Sequence, residues 1–348
     1  MSDSGDGPAA TLSGAMTVKS MIPGVPPLAC VVGAPRCGTT TLSRWMRRRP
    51  EICFSRVKEP HFFTLVDLTA ATDAQLKQAV EDGYIGRYFP HCGPETKLFG
   101  EGSVSYLYAP ERLLPLLKIW PDAKFIIALR DPFEVLPSVH QRLLVQGDET
   151  VQDFATAWRL QEERARGRKI PKTCIDARQL QYLEVVRFGK HVARFFDVVG
   201  RERCYISLFD DLRDDPTTAY LDLLDYLGLE DDGFRDFRSH RASQSFRFGW
   251  LQRLLKRPSA LTGAALAGEA FVYRLGSGPP KPPSLKFQLL MRLRSKLLDW
   301  NQKPAPREEL PAELREEIRG LLRDDVLELS RLIDRNLDHW LGGIGTGA

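Results

Sequence analysis

Two kinds of hydrophobic pattern alternate along this chain. Short unbroken apolar runs, bounded by loop residues, stand at "LACVVGA" (28–34), "KFIIALR" (124–130) and "RCYISLF" (203–209). Each has the length and composition of a strand buried on both faces. Between them apolar residues recur at helical spacing. "TTLSRWMRRR" reads as a helix ended by Pro50, and "FEVLPSVHQRLL" as another. "DDLRDDPTTAYLDLLDYLGL" sets Pro216 near a helix start and Gly228 past its end, the asymmetry helix termini favour. Strands alternating with helices predict an α/β fold of three layers. A mainly parallel central sheet is flanked by helices, and ligands sit at the strands' C-terminal ends.

The pattern changes between about 257 and 308. "GSGPPKPP" and "NQKPAP" are loop-like and enclose "SLKFQLLMRLRSKLLDW", a basic amphipathic helix. Lys286, Arg292, Arg294 and Lys296 stand there beside Phe287, Leu290, Leu297 and Trp300. A helix of this kind can lie on an anionic membrane surface, although packing on its own domain is the commoner fate. Beyond it, "PAELREEIRGLLRDDVLELSRLIDRNLDHWLG" continues a long helical pattern up to the terminal glycines. The expected organisation is a disordered tail over 1–26 and one domain over 27–348. Within that domain, 257–308 is a substrate-side insertion and 309–342 a C-terminal helix.

Composition adds mostly exclusions. The 348 residues carry a net charge of +4, too weak to argue for nucleic acid. No apolar run of roughly 18 residues is present to span a membrane, and the N-terminus lacks the pattern of a secretory signal. Six cysteines (30, 37, 53, 92, 174 and 204) include no C-x-x-C pair. They read as free thiols in a reducing, cytoplasmic setting, with no ligand spacing for a metal.

The chemistry concentrates in "VVGAPRCGTTTLSRWM". Gly33 and Gly38 keep the glycine spacing of a phosphate-binding loop, but Thr39 stands where its lysine belongs. A strand–loop–helix turn aims backbone amides and the helix dipole at one point, so the fold reads as P-loop-like. Arg36 supplies a positive charge within the loop, and its planar fork suits phosphate. A magnesium-dependent ATPase or kinase wants an aspartate ending a second strand. Here that strand ends in Arg130, and Ser138 follows on a helix. Arginine plus serine make a second phosphate site, so one ligand with two separated phosphate groups fits better than a metal-bound triphosphate.

Together "GAPRCGTTTL", "LRDPFEVLPS" and "KEPHFF" (58–63) resemble the sulfotransferases that use 3′-phosphoadenosine 5′-phosphosulfate, closest to the bacterial and heparan-sulfate-type branches. "ISLFDDLRDDPTTAYLDLLDYLGL" and the C-terminal helix extend the resemblance over most of 28–256 and 309–342. The resemblance implies that Arg36, Cys37, Gly38, Thr39, Thr40 and Thr41 hold the 5′-phosphosulfate, and Arg130 and Ser138 the 3′-phosphate. It also implies Glu59 as the base that takes the acceptor's proton, with Lys58 and His61 beside it to hold substrate or adjust its pKa. Taken alone, Glu59 reads more readily as a solvated loop carboxylate and His61 as packing against Phe62 and Phe63; the loop ahead of them at family spacing turns the reading toward the base.

The chain departs from the family in places. "GEGSVSYLY" (100–108) has Gly102 and Val104 where a lysine and a proline are usual, and its Glu101 is a second candidate base. Pro137 removes a helical hydrogen bond just before Ser138 and threatens to kink the helix. Arg241, Ser243 and Arg247 lie where the family closes a basic loop over the cofactor, or form a solvated basic turn. The acceptor stays open between a small molecule, a carbohydrate and a lipid. The competing readings are a nucleotide or sugar kinase, and a non-catalytic nucleotide-binding or peripheral membrane protein.

Overall fold

The computed structural model describes residues 20–237, 244–256, 285–304 and 310–342. Its centre is a five-stranded sheet of β1 (Leu28–Gly33), β2 (Ile52–Phe54), β3 (Leu98–Glu101), β4 (Lys124–Leu129) and β5 (Cys204–Leu208). The strand order is β2-β3-β1-β4-β5, with every neighbouring pair parallel. β1 is buried throughout and β4 nearly so, which is why both stand out as continuous apolar runs. The short β2 and β3 are not recognisable by pattern. β3 also contains Gly100, where a Cβ would come 2.8 Å from the Phe54 ring.

Helices cover both faces. α1 (Thr39–Arg48) follows β1, the short α2 (Phe62–Leu65) follows the loop after β2, and α3 (Pro132–Gln146) follows β4. α4 (Phe188–Val199) precedes β5, and α5 (Pro216–Leu227) comes after it. The Asp215 carboxylate caps α5 by accepting from Thr218 N at 3.1 Å, and Gly228 ends the helix at φ 74°. α3 runs unbroken through Pro137. The lost bond falls in its second turn, next to the Asp131 cap that accepts from Phe133 N at 2.8 Å.

Four details differ from the sequence reading. The chain already packs on the domain from Ser20, ahead of Pro27: Ser20 Oγ donates to Ile119 O at 2.7 Å and Ile22 is buried. The last long helix stops at Ile333 rather than at the glycines, because Asp334 turns left-handed at φ 53°. Cys53 and Cys92 form a disulfide, so the expectation of six free thiols fails; Cys30, Cys37, Cys174 and Cys204 remain free. A 39-residue separation hides the pair in sequence, and with it goes the premise for a reducing compartment. Cys53, His91 and Cys92 also bring metal-ligand atom types within 4.8 Å of one another, a grouping their spacing does not show. With the disulfide formed, the two sulfurs are committed to each other.

An appendage sits on α3. β6 (Gln244–Phe246) pairs antiparallel with β7 (Gln302–Pro304), joined to α6 (Gly249–Lys256) and α7 (Leu285–Asn301). Gln252 Nε2 donates to Val145 O at 2.7 Å, bolting α6 to the end of α3. The buried Asn301 amide donates to Phe248 O and Gln252 Oε1, locking the two appendage helices together. The C-terminal α8 (Ala312–Ile333) packs on α4, where the Asp325 carboxylate accepts from Gly189 N and Lys190 N at 2.9 Å each. Among the described residues no helix is long and apolar enough to cross a membrane.

Candidate active site

Four adjacent parallel strands end at the same edge, and each delivers one part of the site. The loop after β1 depends on its glycines. Gly33 has φ 141°, and a Cβ there would lie 2.5 Å from Ala128 N; Gly38 has φ 88°, and its Cβ would meet Leu212 Cδ1 at 2.7 Å. Arg36 is itself held at φ 72°, a strained position for a side-chain-bearing residue. Gly38 caps α1 without a side-chain hydrogen bond, and the first turn carries no acidic residue. The orphan amides and positive dipole end are therefore arranged for an anion. The Thr41 amide is spent inside the turn, donating to Gly38 O at 2.8 Å, which leaves its hydroxyl. Cys37 is fully buried, and burial outweighs Arg130 and Arg36 in holding its thiol protonated. Only its backbone can face a ligand. Thr39 is buried while Thr40 is partly open.

The loop after β2 supplies what the first loop lacks. Lys58 Nζ donates to Thr39 Oγ1 at 3.3 Å, so an ammonium stands beside the position where a P-loop lysine would sit. The same ammonium lies 2.6 Å from Glu59 Oε1. His61 Nε2 is 3.3 Å from Glu59 Oε2, and its Nδ1 is 2.8 Å from Ser105 Oγ. His61 adopts φ 54° and its amide donates to Ser103 Oγ at 2.8 Å, which fixes the backbone that aims the ring. Burial pushes the Glu59 carboxyl up, but the His61 hydrogen bond and the charges of Lys58 and His61 outweigh it. They bring Glu59 down to about 2.

Glu101, at the end of β3, faces the opposite environment. It is completely buried, accepts from Ser103 Oγ at 2.6 Å, and lies 3.7 Å from the Cys30 thiol. Burial raises it to about 7 against the hydrogen bonds from Ser103, Tyr106 and Cys30. Through Ser103 it supports the His61 backbone, and it has no opening to an acceptor. Glu101 thus lies sealed beneath the site, and Glu59, 28% exposed, is the accessible carboxylate.

After β4, Arg130 Nε donates to Glu134 Oε2 at 2.7 Å, Nη1 donates to Arg36 O at 3.3 Å, and the guanidinium lies 4.2 Å over the Phe209 ring. Arg36 Nε donates to Ser138 Oγ at 2.8 Å. The structure therefore unites Arg36 with the Arg130–Ser138 pair, and Lys58 with the loop's helix end. Arg142 escaped the sequence reading. It stands one turn beyond Ser138 on α3, is half-buried, donates to Gln179 Oε1 at 2.7 Å and feels the Glu59 charge. Its i+4 spacing from Ser138 was the available signal. Arg247 is exposed just after β6, where its amide donates to Asn301 O, outside this cluster. Arg241 and Ser243 lie outside the described residues.

A sulfotransferase from Alicyclobacillus acidocaldarius shares the fold at a TM-score of 0.59 and 23% identity, covering 91% of this chain and 99% of that one. More distant structures include the sulfotransferase domain of the Synechococcus PCC 7002 olefin synthase, at a TM-score of 0.39 and 16% identity, covering 80% and 96% of the two chains. Retinol dehydratase in complex with retinol and PAP gives 0.41 and 11%, covering 87% and 82%. No curated protein matches the sequence. The sulfotransferase family profile matches residues 27–233. That span takes in all five strands of the central sheet and every member of the cluster just described, and the chain belongs to the sulfotransferase family.

Proposed function

We propose that this site binds 3′-phosphoadenosine 5′-phosphosulfate and moves its sulfuryl group to a hydroxyl or amine, with Glu59 as the general base. The observation that carries the reading is the Lys58 ammonium bridging Thr39 at the anion-binding loop and Glu59 at the mouth. The donor set suits the nucleotide: a helix end with hydroxyls and an ammonium for one phosphate, two arginines and a serine for another. When bound, the nucleotide would supply the sulfuryl group: the acceptor's bond to sulfur would form as the bridging S–O bond breaks and adenosine 3′,5′-bisphosphate leaves.

The chain's own residues then have distinct tasks. The α1 amides, Thr39, Thr40 and Lys58 hold the phosphosulfate end, where charge develops during transfer. Arg130, Ser138 and Arg36 hold the 3′-phosphate. Drawn toward the bound anion, Lys58 leaves Glu59 Oε1, and the carboxylate becomes a stronger base as it is needed. Glu59 takes the acceptor proton while His61, braced by Ser105 and by the Glu101–Ser103 bond beneath it, holds the other oxygen. Arginine at the end of β4, where a magnesium-binding aspartate would serve a kinase, opposes the triphosphate reading.

The test is transfer of label from sulfuryl-labelled nucleotide to a panel of alcohols, phenols and amines. Arg36→Ala, which removes a charged contact to the 3′-phosphate, is expected to lower kcat/KM by roughly 10- to 100-fold through weaker nucleotide binding. A near-normal kcat/KM in that variant would remove the assignment.

A further inference from the structure

α7 carries an apolar stripe that the rest of the described fold leaves open. Leu289, Leu293, Leu297 and Trp300 are 69%, 55%, 36% and 55% exposed. Their spacings of four, four and three residues put them on one helix face. The opposite face is the one that packs: Leu298 and Asn301 are buried, and Arg294 Nε donates to Leu255 O at 2.9 Å. Phe248, also exposed, stacks on Trp300 with ring centroids 5.8 Å apart and widens the patch. The neighbouring α8 shows what ordinary packing does with such a stripe. Its Leu314, Ile318, Leu322, Val326, Leu329 and Ile333 are all buried.

Charge borders the open stripe on one side. Arg292 and Lys296, one turn apart, are exposed along its edge, and the exposed Arg247, whose amide donates to Asn301 O just after β6, and Lys303 on β7 stand at the helix's C-terminal end. Asp299 is the acidic residue in the described part of α7. We infer that this face of α7 is an interfacial membrane contact, binding the surface of an anionic bilayer. Leucines and stacked aromatics enter the headgroup boundary, while the bordering cations meet lipid phosphates. A second copy of the chain is a poorer occupant, because a two-fold pairing of α7 faces sets Arg292 and Lys296 against the same residues of the other copy. α6 and β6 brace the helix on α3, the helix that also presents Ser138. The inference does not depend on the sulfuryl reading, and vesicle binding would stand even if that reading fell.

The experiment is cosedimentation of the full chain with sucrose-loaded vesicles at moderate salt. One set is phosphatidylcholine alone and the other an equal mixture with phosphatidylglycerol. The chain is expected to pellet with the anionic vesicles and to remain free of the neutral ones. Leu293→Glu with Leu297→Glu, through lost apolar insertion, and separately Arg292→Glu with Lys296→Glu, through lost charge attraction, should each weaken partitioning about tenfold or more. Unchanged adenosine 3′,5′-bisphosphate affinity and melting temperature in these variants show that fold and site are intact. Absence of anionic-vesicle binding, equal binding to both vesicle types, or binding that survives both double variants would overturn the inference. So would a dimer at sedimentation equilibrium that Leu293→Glu dissociates while vesicles stay bare. Capture by polyglutamate in preference to vesicles would also overturn it, indicating an acidic protein partner.

Discussion

Two carboxylates on neighbouring strand ends have opposite chemistry. Glu59, in the loop after β2, lies against an ammonium and an imidazole, and these hold it down at about 2. Glu101, at the end of β3, is sealed among Cys30, Ser103 and Tyr106, and burial lifts it to about 7. Glu101 feels the Glu59 charge across the base of the site, yet only Glu59 is open to an acceptor. Two environments thus divide one kind of side chain into an accessible, strongly acidic group and a sealed, weakly acidic one.

The sharpest way to break this division is to neutralise each carboxylate in turn. Glu59→Gln is expected to lower sulfuryl transfer by about 100-fold or more, the usual worth of a positioned base, with bisphosphate affinity kept. Glu101→Gln keeps the shape and the Ser103 contact and should cost only a few-fold in rate. Equal losses would erase the distinction, and a larger loss at Glu101 would reverse it.

Lys58 tests why Glu59 is acidic. Lys58→Met keeps the stem and removes the charge from both Thr39 and Glu59, and turnover should fall roughly 100-fold. Because Lys58 depresses the Glu59 pKa, its loss should also move the acid limb of the kcat/KM profile to higher pH. An unmoved limb would mean that another group sets it.

The smallest effect expected is on stability. A buried carboxyl raised to about 7 binds its proton more tightly folded than unfolded, where its ordinary value is 4.5. Its favourable contribution is complete below pH 4.5 and is lost as pH rises through 7. The melting temperature of Glu101→Gln minus that of the parent should therefore rise from pH 4.5 to pH 7.5, by ~2 °C or more. A flat difference would show that Glu101 is ionised in the fold throughout.

The fold was legible where length and burial cooperate. β1 and β4 are six-residue buried runs, and Pro216 and Gly228 mark their helix in sequence as they do in space. β2 and β3 are three and four residues long, with a glycine in the second, too short for a period to show. The glycine-rich loop after β1 was legible because glycine spacing is local. The bridge from Lys58 to Thr39, the pairing of Arg36 with Ser138 and the Cys53–Cys92 bond join residues far apart in the chain, and only strand order brings them together. Likewise α7 and α8 show similar leucine spacing, and what covers each helix is a tertiary fact.

The most direct measurement is isothermal titration of the protein with adenosine 3′,5′-bisphosphate, set against ATP with magnesium. The account predicts micromolar binding of the bisphosphate, weakened at least tenfold by Arg130→Ala, and little heat from the triphosphate. Tight binding of magnesium ATP with none of the bisphosphate would contradict it.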